Sequence, residues 1–182
     1  MTLLKDVLSQ LDMYRNFIIN HDIPEAIQSK SNYLAALGLS TYTEVFGGLY
    51  RGDLTQYNGR KNYTAFIKDF FHEEYMKVNS RLKDDNLKGL YGAVRSGLVH
   101  TYLMKETSIV VMYRNHPMNC GIIYDPKGIH KITFVVEQYF QDFVKAFHKY
   151  RSRIKNEPDL VDNFEKALMS IGSQMSKSHS PW

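Results

Sequence analysis

The spacing of apolar residues constrains the fold of this 182-residue chain more than any other feature. From residue 2 to about 105, and again after 132, apolar side chains recur every three or four positions, which predicts amphipathic helices. Around Ile109 and Ile122 the pattern changes to short β-branched runs, which predicts strands. We therefore predict a mainly all-α helical bundle, with a small β-hairpin or meander insert at about 107–131, before the penultimate helix.

The helical pattern also suggests how the chain is divided. Asp125 to Gly128 is a turn sequence between short strands. We expect residues 1–172 to form a single helical domain and residues 173–182 to be a flexible C-terminal tail. The long helices are predicted over 2–20, 62–83, 87–105 and 132–154, with a last helix ending near Gly172.

Three helix starts are predicted from capping residues. Asp22, just ahead of Pro24, has the sequence of an N-cap. Thr41 and Glu44 have the spacing of a capping box, which would begin a separate helical piece. The polar run 84–86 would cap the helix over 87–105.

Composition and charge narrow the class of protein without identifying it. A net charge of +4 and a pI near 9.0 are compatible with a phosphate or nucleic-acid partner but do not require one. Cys120 is the single cysteine, which excludes an internal disulfide or a cysteine-based zinc site. No apolar run approaches the roughly 18 residues that span a bilayer, and the first residues do not resemble a secretion leader. We expect a cytoplasmic protein with no membrane contact.

One short segment of the predicted helix 87–105 carries side chains suited to chemistry on phosphate. It contains Arg95, Ser96, His100 and Tyr102. A guanidinium binds phosphate through paired hydrogen bonds, and an imidazole can transfer a proton near neutral pH. The competing interpretation is structural: Arg95 forms a salt bridge and His100 packs in an interface.

Helical geometry predicts a partner for this segment. On a straight helix Arg95 and Tyr102 are aligned, whereas His100 faces away from Arg95. One chain then cannot bring all three groups to one phosphate unless the helix distorts near Gly97 or a second subunit supplies the missing group. Small residues on the His100 face permit close approach of another backbone, so we expect a homodimer through helix 87–105; these are Gly92, Ala93, Ser96 and Gly97.

The segment from Ala93 to Tyr102 resembles the motif of HEPN domains, which are all-α bundles found in prokaryotic toxins, defence proteins and RNA-processing factors. Their hallmark is an arginine, a polar residue next to it, and a histidine after four to six intervening residues. Active members are endoribonucleases that need no metal or cofactor, and their site forms where two such helices meet in a dimer. The resemblance covers about residues 86–105 and implies catalytic roles for Arg95 and His100, with Ser96 supporting them.

The Arg-x4-His-x-Tyr form is similar to the toxin branch that is paired with a nucleotidyltransferase antitoxin. That resemblance implies that the antitoxin adenylylates Tyr102. Because Tyr102 also continues the apolar stripe of Tyr91, Val94 and Leu98, a core position is the alternative for it. Ser96 stands where the family usually has Asn, Asp or His.

Two classes of function follow from these residues. The first is a HEPN-like metal-independent endoribonuclease, or an RNA-binding relative, in a toxin, defence or RNA-processing system. The second is a noncatalytic dimeric interaction or nucleotide-sensing protein, in which the Arg-His helix forms only the interface. RNA or a nucleotide is the expected ligand of the first class.

Other polar clusters have simpler explanations. His72 and Glu73 are adjacent on a helix and point apart, so we expect a solvated face rather than a metal site. Structural roles are favoured over zinc binding for the three residues around the β insert, which are His116, Cys120 and His130. A solvated helix end is favoured over phosphate binding for the basic cluster His148, Lys149, Arg151, Arg153 and Lys155.

Overall fold

The computed structural model describes residues 2–85, 88–95, 98, 108–111 and 120–177. These residues form a helical bundle with one small sheet, which confirms the predicted mainly helical fold. The α-helices are α1 (Thr2–Tyr14), α2 (Ile23–Gln28), α3 (Asn32–Arg51), α4 (Gly59–Phe70), α5 (Glu74–Asp84), α6 (Val136–Ile154) and α7 (Pro158–Lys177). No helix in the described ranges is long and apolar enough to cross a membrane.

Two further helical segments have π geometry, in which the backbone bonds run from residue i to i+5. The first, Arg15–Asp22, joins α1 directly to α2, and the Ile23 amide donates to the Ile18 carbonyl. Asp22 is helical and makes no side-chain cap bond, so its prediction as an N-cap was wrong. Its carboxylate instead accepts a hydrogen bond of 2.9 Å from the Tyr42 hydroxyl. The second π segment is Tyr91–Arg95.

The long helix α3 forms the centre of the bundle and packs against α4, α6 and α7. It runs unbroken through Gly38, so the predicted separate helical piece after Thr41 does not exist. Its C-terminus is at Arg51, where Gly52 takes a left-handed conformation with φ of 77°. Around Phe46 the core is aromatic, with ring contacts to Phe66, Phe143, Phe147 and Tyr150.

The middle of the chain differs from the prediction in one helix break and in where the following helical stretch begins. The expected helix over 62–83 is two helices, α4 and α5, which are separated at Phe71 to Glu73. The next helical stretch begins at Gly89, where the buried Asn79 side chain accepts the Leu90 amide at 3.0 Å. That amide lies at a helix start, where backbone donors lack intrahelical partners. Asn79 of α5 therefore satisfies this donor, while Asn86 of the predicted cap 84–86 lies outside the described residues.

The sheet contains β1 (Ser108–Val111), β2 (Ile122–Tyr124) and β3 (Ile132–Val135), in the order β1-β3-β2. Strands β2 and β3 form the expected hairpin, whereas β1 pairs with β3 in parallel. The meander alternative is therefore wrong, because a meander would pair β1 with β2. The insert also extends beyond residue 131, since residues 132–135 are a strand and not the first turn of a helix. This sheet precedes the penultimate helix, α6, as predicted.

Candidate functional site

Arg95 lies at the end of the second π segment and forms an ion pair with Glu44 of α3. The Arg95 Nε and Glu44 Oε2 atoms are 2.5 Å apart, and the two side chains are 18% and 19% exposed. Their angles do not fit a hydrogen bond, so the contact is a charge pair. The closest approach uses Nε, which is one of five N–H donors on the guanidinium. Arg95 is therefore held from one edge, near the surface of the bundle.

The Glu44 carboxylate occupies space that the absence of a side chain at Gly59 creates. A Cβ atom at Gly59 would lie 2.5 Å from Glu44 Oε1 and 2.7 Å from the Tyr91 hydroxyl oxygen. Gly59 begins α4, and the amino end of a helix attracts negative charge. The Glu44 carboxylate thus lies between the Arg95 cation and the amino end of α4. Together with Gly59, Tyr91 and Arg95, it forms what we call the Arg95 cluster.

The pKa of Tyr91 depends on the charges of the cluster and on one further cation, Arg60. Burial raises the pKa of the Tyr91 phenol above 10.0, and the Glu44 charge raises it further. The charges of Arg95 and Arg60 act in the opposite direction. Tyr91 is therefore a neutral hydrogen-bonding group at physiological pH, close to one anion and two cations.

A buried polar chain supports the cluster from the core. The Tyr91 ring makes an edge contact with Tyr63, at a centroid distance of 5.8 Å. The Tyr63 and Tyr139 hydroxyl oxygens are 3.0 Å apart, and Thr43 Oγ1 lies 3.0 Å from the Tyr139 hydroxyl. Thr43 in turn donates to the Leu39 carbonyl at 2.8 Å. Because three of these side chains are fully buried and hydrogen-bonded, the floor of the cluster is rigid.

Three of the four predicted site residues cannot be placed relative to Arg95. Ser96, His100 and Tyr102 lie outside the described residues, and so does Gly97. The predicted approach of His100 to Arg95 therefore stays a prediction. The helix assumed for it was straight, whereas Tyr91–Arg95 is π-helical. Leu98, the described residue beyond Arg95, is buried as the apolar stripe predicted.

Two of the small residues that supported a dimer, Gly92 and Ala93, are buried within the single chain, which weakens that argument. Gly92 and Ala93 were expected to face a partner subunit, because glycine in a helix permits close approach. Both are buried within the single chain, in a segment that packs against α3 and α4. Their size is therefore explained by packing inside one molecule, and the homodimer through 87–105 stays a prediction that depends on the remaining small residues.

The other sequence candidates form ordinary structural contacts. His72 and Glu73 are exposed, and Glu73 pairs with Lys77 at 2.8 Å on the same face. Cys120 is buried and its thiol donates to the Ile122 carbonyl, whereas His130 is exposed; His116 lies outside the described residues. Burial raises the pKa of the Cys120 thiol to about 12. That thiol is therefore protonated and unreactive at neutral pH.

In the predicted basic cluster at the end of α6, both arginines are paired with carboxylates. Arg151 forms two hydrogen bonds with Asp12, of 3.1 and 3.0 Å, and Arg153 forms two of 2.7 Å with Glu157. Lys149 donates to the Asp69 carbonyl at 2.7 Å. Because these cations already have partners, a structural role is supported over phosphate binding.

Sequence reasoning missed Glu44 and Gly59 as members of the cluster. Glu44 was assigned to a capping box, which explained its presence locally, while its partner Arg95 lies far along the chain. Gly59 lies just before the predicted helix over 62–83, where no site was expected. No periodic signal marks either residue, since each acts through a contact between α3, α4 and the second π segment.

No model of a known protein family, no curated protein and no solved structure matches this chain.

Proposed function

We propose that this protein is a HEPN-like, metal-independent endoribonuclease in which Arg95 and His100 act on the RNA phosphate. The observation that supports the proposal most strongly is the placement of Arg95. Its side chain is 18% exposed, and Glu44 holds its buried Nε edge above a hydrogen-bonded floor. A guanidinium fixed in this way suits a pentavalent phosphate, whose added charge needs donors that are already oriented.

The reaction needs proton transfer and charge stabilisation, because RNA carries its own nucleophile. The 2′-oxygen forms a bond to phosphorus, the bond from phosphorus to the 5′-oxygen breaks, and a 2′,3′-cyclic phosphate and a 5′-hydroxyl result. One proton leaves the 2′-hydroxyl and one reaches the 5′-oxygen. An imidazole with an ordinary pKa near 6.5 can perform either transfer, and we assign one to His100. Arg95 would stabilise the charge on the nonbridging oxygens.

The proposal extends to neighbouring residues and partners. Ser96 would hold the phosphate or orient the imidazole, and Tyr102 would lie at the rim of the site as a target for a nucleotidyltransferase antitoxin. A second copy of the chain would bring its His100 to the Arg95 of the first. The setting would be a toxin, defence or RNA-processing system in the cytoplasm.

The second candidate function is a noncatalytic dimeric interaction or nucleotide-sensing protein. The Glu44–Arg95 ion pair favours it, because a neutralised guanidinium attracts phosphate less strongly than a free one. In this alternative Arg95 stabilises the fold, and helix 87–105 forms only an interface. The two candidates differ in whether RNA is cut.

The test is cleavage of single-stranded RNA by the purified chain in the presence of a chelator. We expect products with 2′,3′-cyclic phosphate ends, and loss of at least about 100-fold in rate for both Arg95→Ala and His100→Ala. Arg81→Ala and His72→Ala are matched controls, since both side chains are exposed on other helices or turns, and they should keep the wild-type rate.

Mixing the two inactive variants tests the shared site. If the site combines Arg95 of one chain with His100 of another, the mixture regains part of the activity, because mixed dimers contain one intact pair. Cleavage that survives both substitutions would show that the reaction occurs elsewhere. No cleavage by the wild-type chain, with dimerisation retained, would support the second candidate.

A further inference from the structure

An exposed aromatic residue lies two positions before Gly59 of the Arg95 cluster. Tyr57 is 86% exposed, in the short 3-10 turn Gln56–Asn58 that leads into α4. Two residues of chain span at most about 7 Å, so the Tyr57 backbone is close to Gly59 and through it to the cluster. A large, nearly fully exposed ring has no role in the core.

The segment that carries Tyr57 is held firmly on both sides of it. Asp53 Oδ1 accepts the Thr55 amide at 2.8 Å, and Asp53 Oδ2 accepts the Asn58 side chain at 2.5 Å. The Asn62 side chain donates to the Asp53 carbonyl at 2.7 Å, which fixes the turn to α4. Hydrogen bonds from Thr55 are the largest cause of the lowered pKa of Asp53. The ring is therefore presented by an ordered support, which lowers the entropy lost when a ligand stacks on it.

Positive charge accompanies this ring. Arg60 and Lys61 are both exposed at the start of α4. Arg60 follows Tyr57 by three positions, across the junction between the 3-10 turn and α4, so the two residues are close along the chain. The Arg60 charge also lowers the pKa of the Tyr91 phenol, so this cation is near the Arg95 cluster.

We propose that Tyr57 and Arg60 form a subsite for an unpaired nucleobase and its adjoining phosphate, next to the phosphate at Arg95. The inference rests on the proposed function, because it assigns the substrate class of that site as single-stranded RNA. An exposed tyrosine stacks on any base, and an adjacent guanidinium pairs with the backbone phosphate. A base inside a duplex offers no free face to the ring, so paired RNA is excluded from the subsite.

The experiment measures binding apart from cleavage. A short fluorescent RNA with every 2′-hydroxyl methylated has no free nucleophile and stays intact, and it is titrated with the full chain as a single strand and as a duplex. Tyr57→Ala should weaken single-strand binding by about 5-fold to 150-fold, the effect of losing one stacked base, and leave duplex binding unchanged. Tyr57→Phe keeps the ring and should bind within about twofold of wild type.

Charge is tested separately from stacking. Arg60→Ala should reduce the slope of log affinity against log salt by about 0.7, the contribution of one single-strand phosphate contact. Phe17→Ala is the matched aromatic control, because Phe17 is 59% exposed in the first π segment, which packs against α1 and α2. It should leave binding and its salt dependence unchanged.

The outcomes separate this subsite from the proposed function. If the wild-type chain cleaves unmodified RNA and binds the methylated strand, while Tyr57→Ala binds it equally well, the subsite is wrong and the proposed function stands. Equal loss of single-strand and duplex binding in Tyr57→Ala would also overturn the subsite. A wild-type chain that neither cleaves nor binds RNA overturns both.

Discussion

At the scale of single residues, the contact that decides the properties of Arg95 is its ion pair with Glu44. An anion so close to Arg95 fixes the guanidinium and also reduces its attraction for phosphate. Fixing the guanidinium should raise kcat. The reduced attraction for phosphate should weaken substrate binding and so raise KM. Glu44 is therefore a positioning residue in the proposed reaction, acting through Arg95.

This dual effect predicts a split in the kinetics of Glu44→Gln. Glutamine keeps the shape of the side chain and removes its charge, so RNA binding should strengthen and KM should fall by about 2-fold to 5-fold. Because Arg95 loses its fixed partner, kcat should fall by about 10-fold. Steady-state kinetics on a single-stranded RNA, with thermal unfolding as a check of the fold, separate the two effects.

A purely structural role for Glu44 gives a different result. The variant would then lose active protein, with lower apparent kcat, unchanged KM and a lower Tm. The conservative Glu44→Asp keeps the charge but shortens the reach to Arg95, so it should keep the wild-type KM while kcat still falls. Equal kcat in all three proteins would contradict the positioning role.

At the scale of elements, the close approach of α3 and α4 brings Glu44 and Gly59 together. A Cβ atom at Gly47 would overlap the Asn62 carbonyl oxygen, which belongs to the backbone of α4 and cannot turn aside. At Gly38 on the same helix, a Cβ atom would lie 3.0 Å from the Ile23 Cδ1 atom, the end of a flexible side chain. A side chain at Gly47 would therefore meet rigid backbone, whereas one at Gly38 would meet only a side chain that can move.

We expect Gly47→Ala to destabilise the protein by about 3 kcal/mol, because α4 must move away from α3. For a chain of this length that change lowers Tm by about 6–12 °C. Gly38→Ala should have a Tm within a few degrees of wild type, since the gain in helix propensity offsets a small side-chain shift. Calorimetry on both variants measures the difference, and an equal Tm for the two would contradict the rigid α3–α4 contact.

The sequence predicts some of these elements well and others poorly, for physical reasons. Long helices with a continuous apolar face, such as α6, follow from periodicity, because burial of one face determines them. The Asp22-Ile23-Pro24 sequence predicted a break, but the helical path continues from the π segment into α2, with Pro24 in the first turn of α2. The parallel pairing of β1 with β3 joins residues far apart in sequence, and alternation does not encode strand order.

In the candidate site too, contacts between residues far apart in sequence could not be predicted from local patterns. Arg95 was identified because it belongs to a short local motif, whereas Glu44 reaches it only when α3, α4 and the second π segment are assembled. The burial of Gly92 and Ala93 inside the monomer has the same origin. A small residue marks a close approach, but the sequence does not say whether the neighbour belongs to the same chain.

At the scale of the whole molecule, the core contains several buried phenols. Four tyrosines in the described ranges are completely buried, and they are Tyr63, Tyr75, Tyr139 and Tyr150. Burial raises the pKa of each phenol above its ordinary value of 10.0. In the unfolded chain the same groups ionise near 10, so the folded state retains protons that the unfolded state loses.

This difference predicts cooperative unfolding in alkali. Because the folded pKa values are raised, the stabilisation is fully present below pH 10 and is lost as the pH rises above it. Each buried phenol lowers the free energy of unfolding by about 1.4 kcal/mol per pH unit in that range, so four give about 5.5 kcal/mol per unit. A domain of ordinary stability then unfolds within about one to three units above pH 10. The absorbance of tyrosinate and circular dichroism should change together in one step.

Tyr150→Phe is the variant that tests this assignment with least disturbance. Within the described part of the chain the Tyr150 hydroxyl has no hydrogen-bond partner, so its removal should leave stability at pH 7 unchanged or slightly higher. The alkaline slope should fall by about 1.4 kcal/mol per pH unit, because one buried phenol no longer titrates. A gradual rise of tyrosinate absorbance from pH 9 in the wild type, ahead of any loss of helix signal, would show instead that these phenols reach solvent in the folded protein.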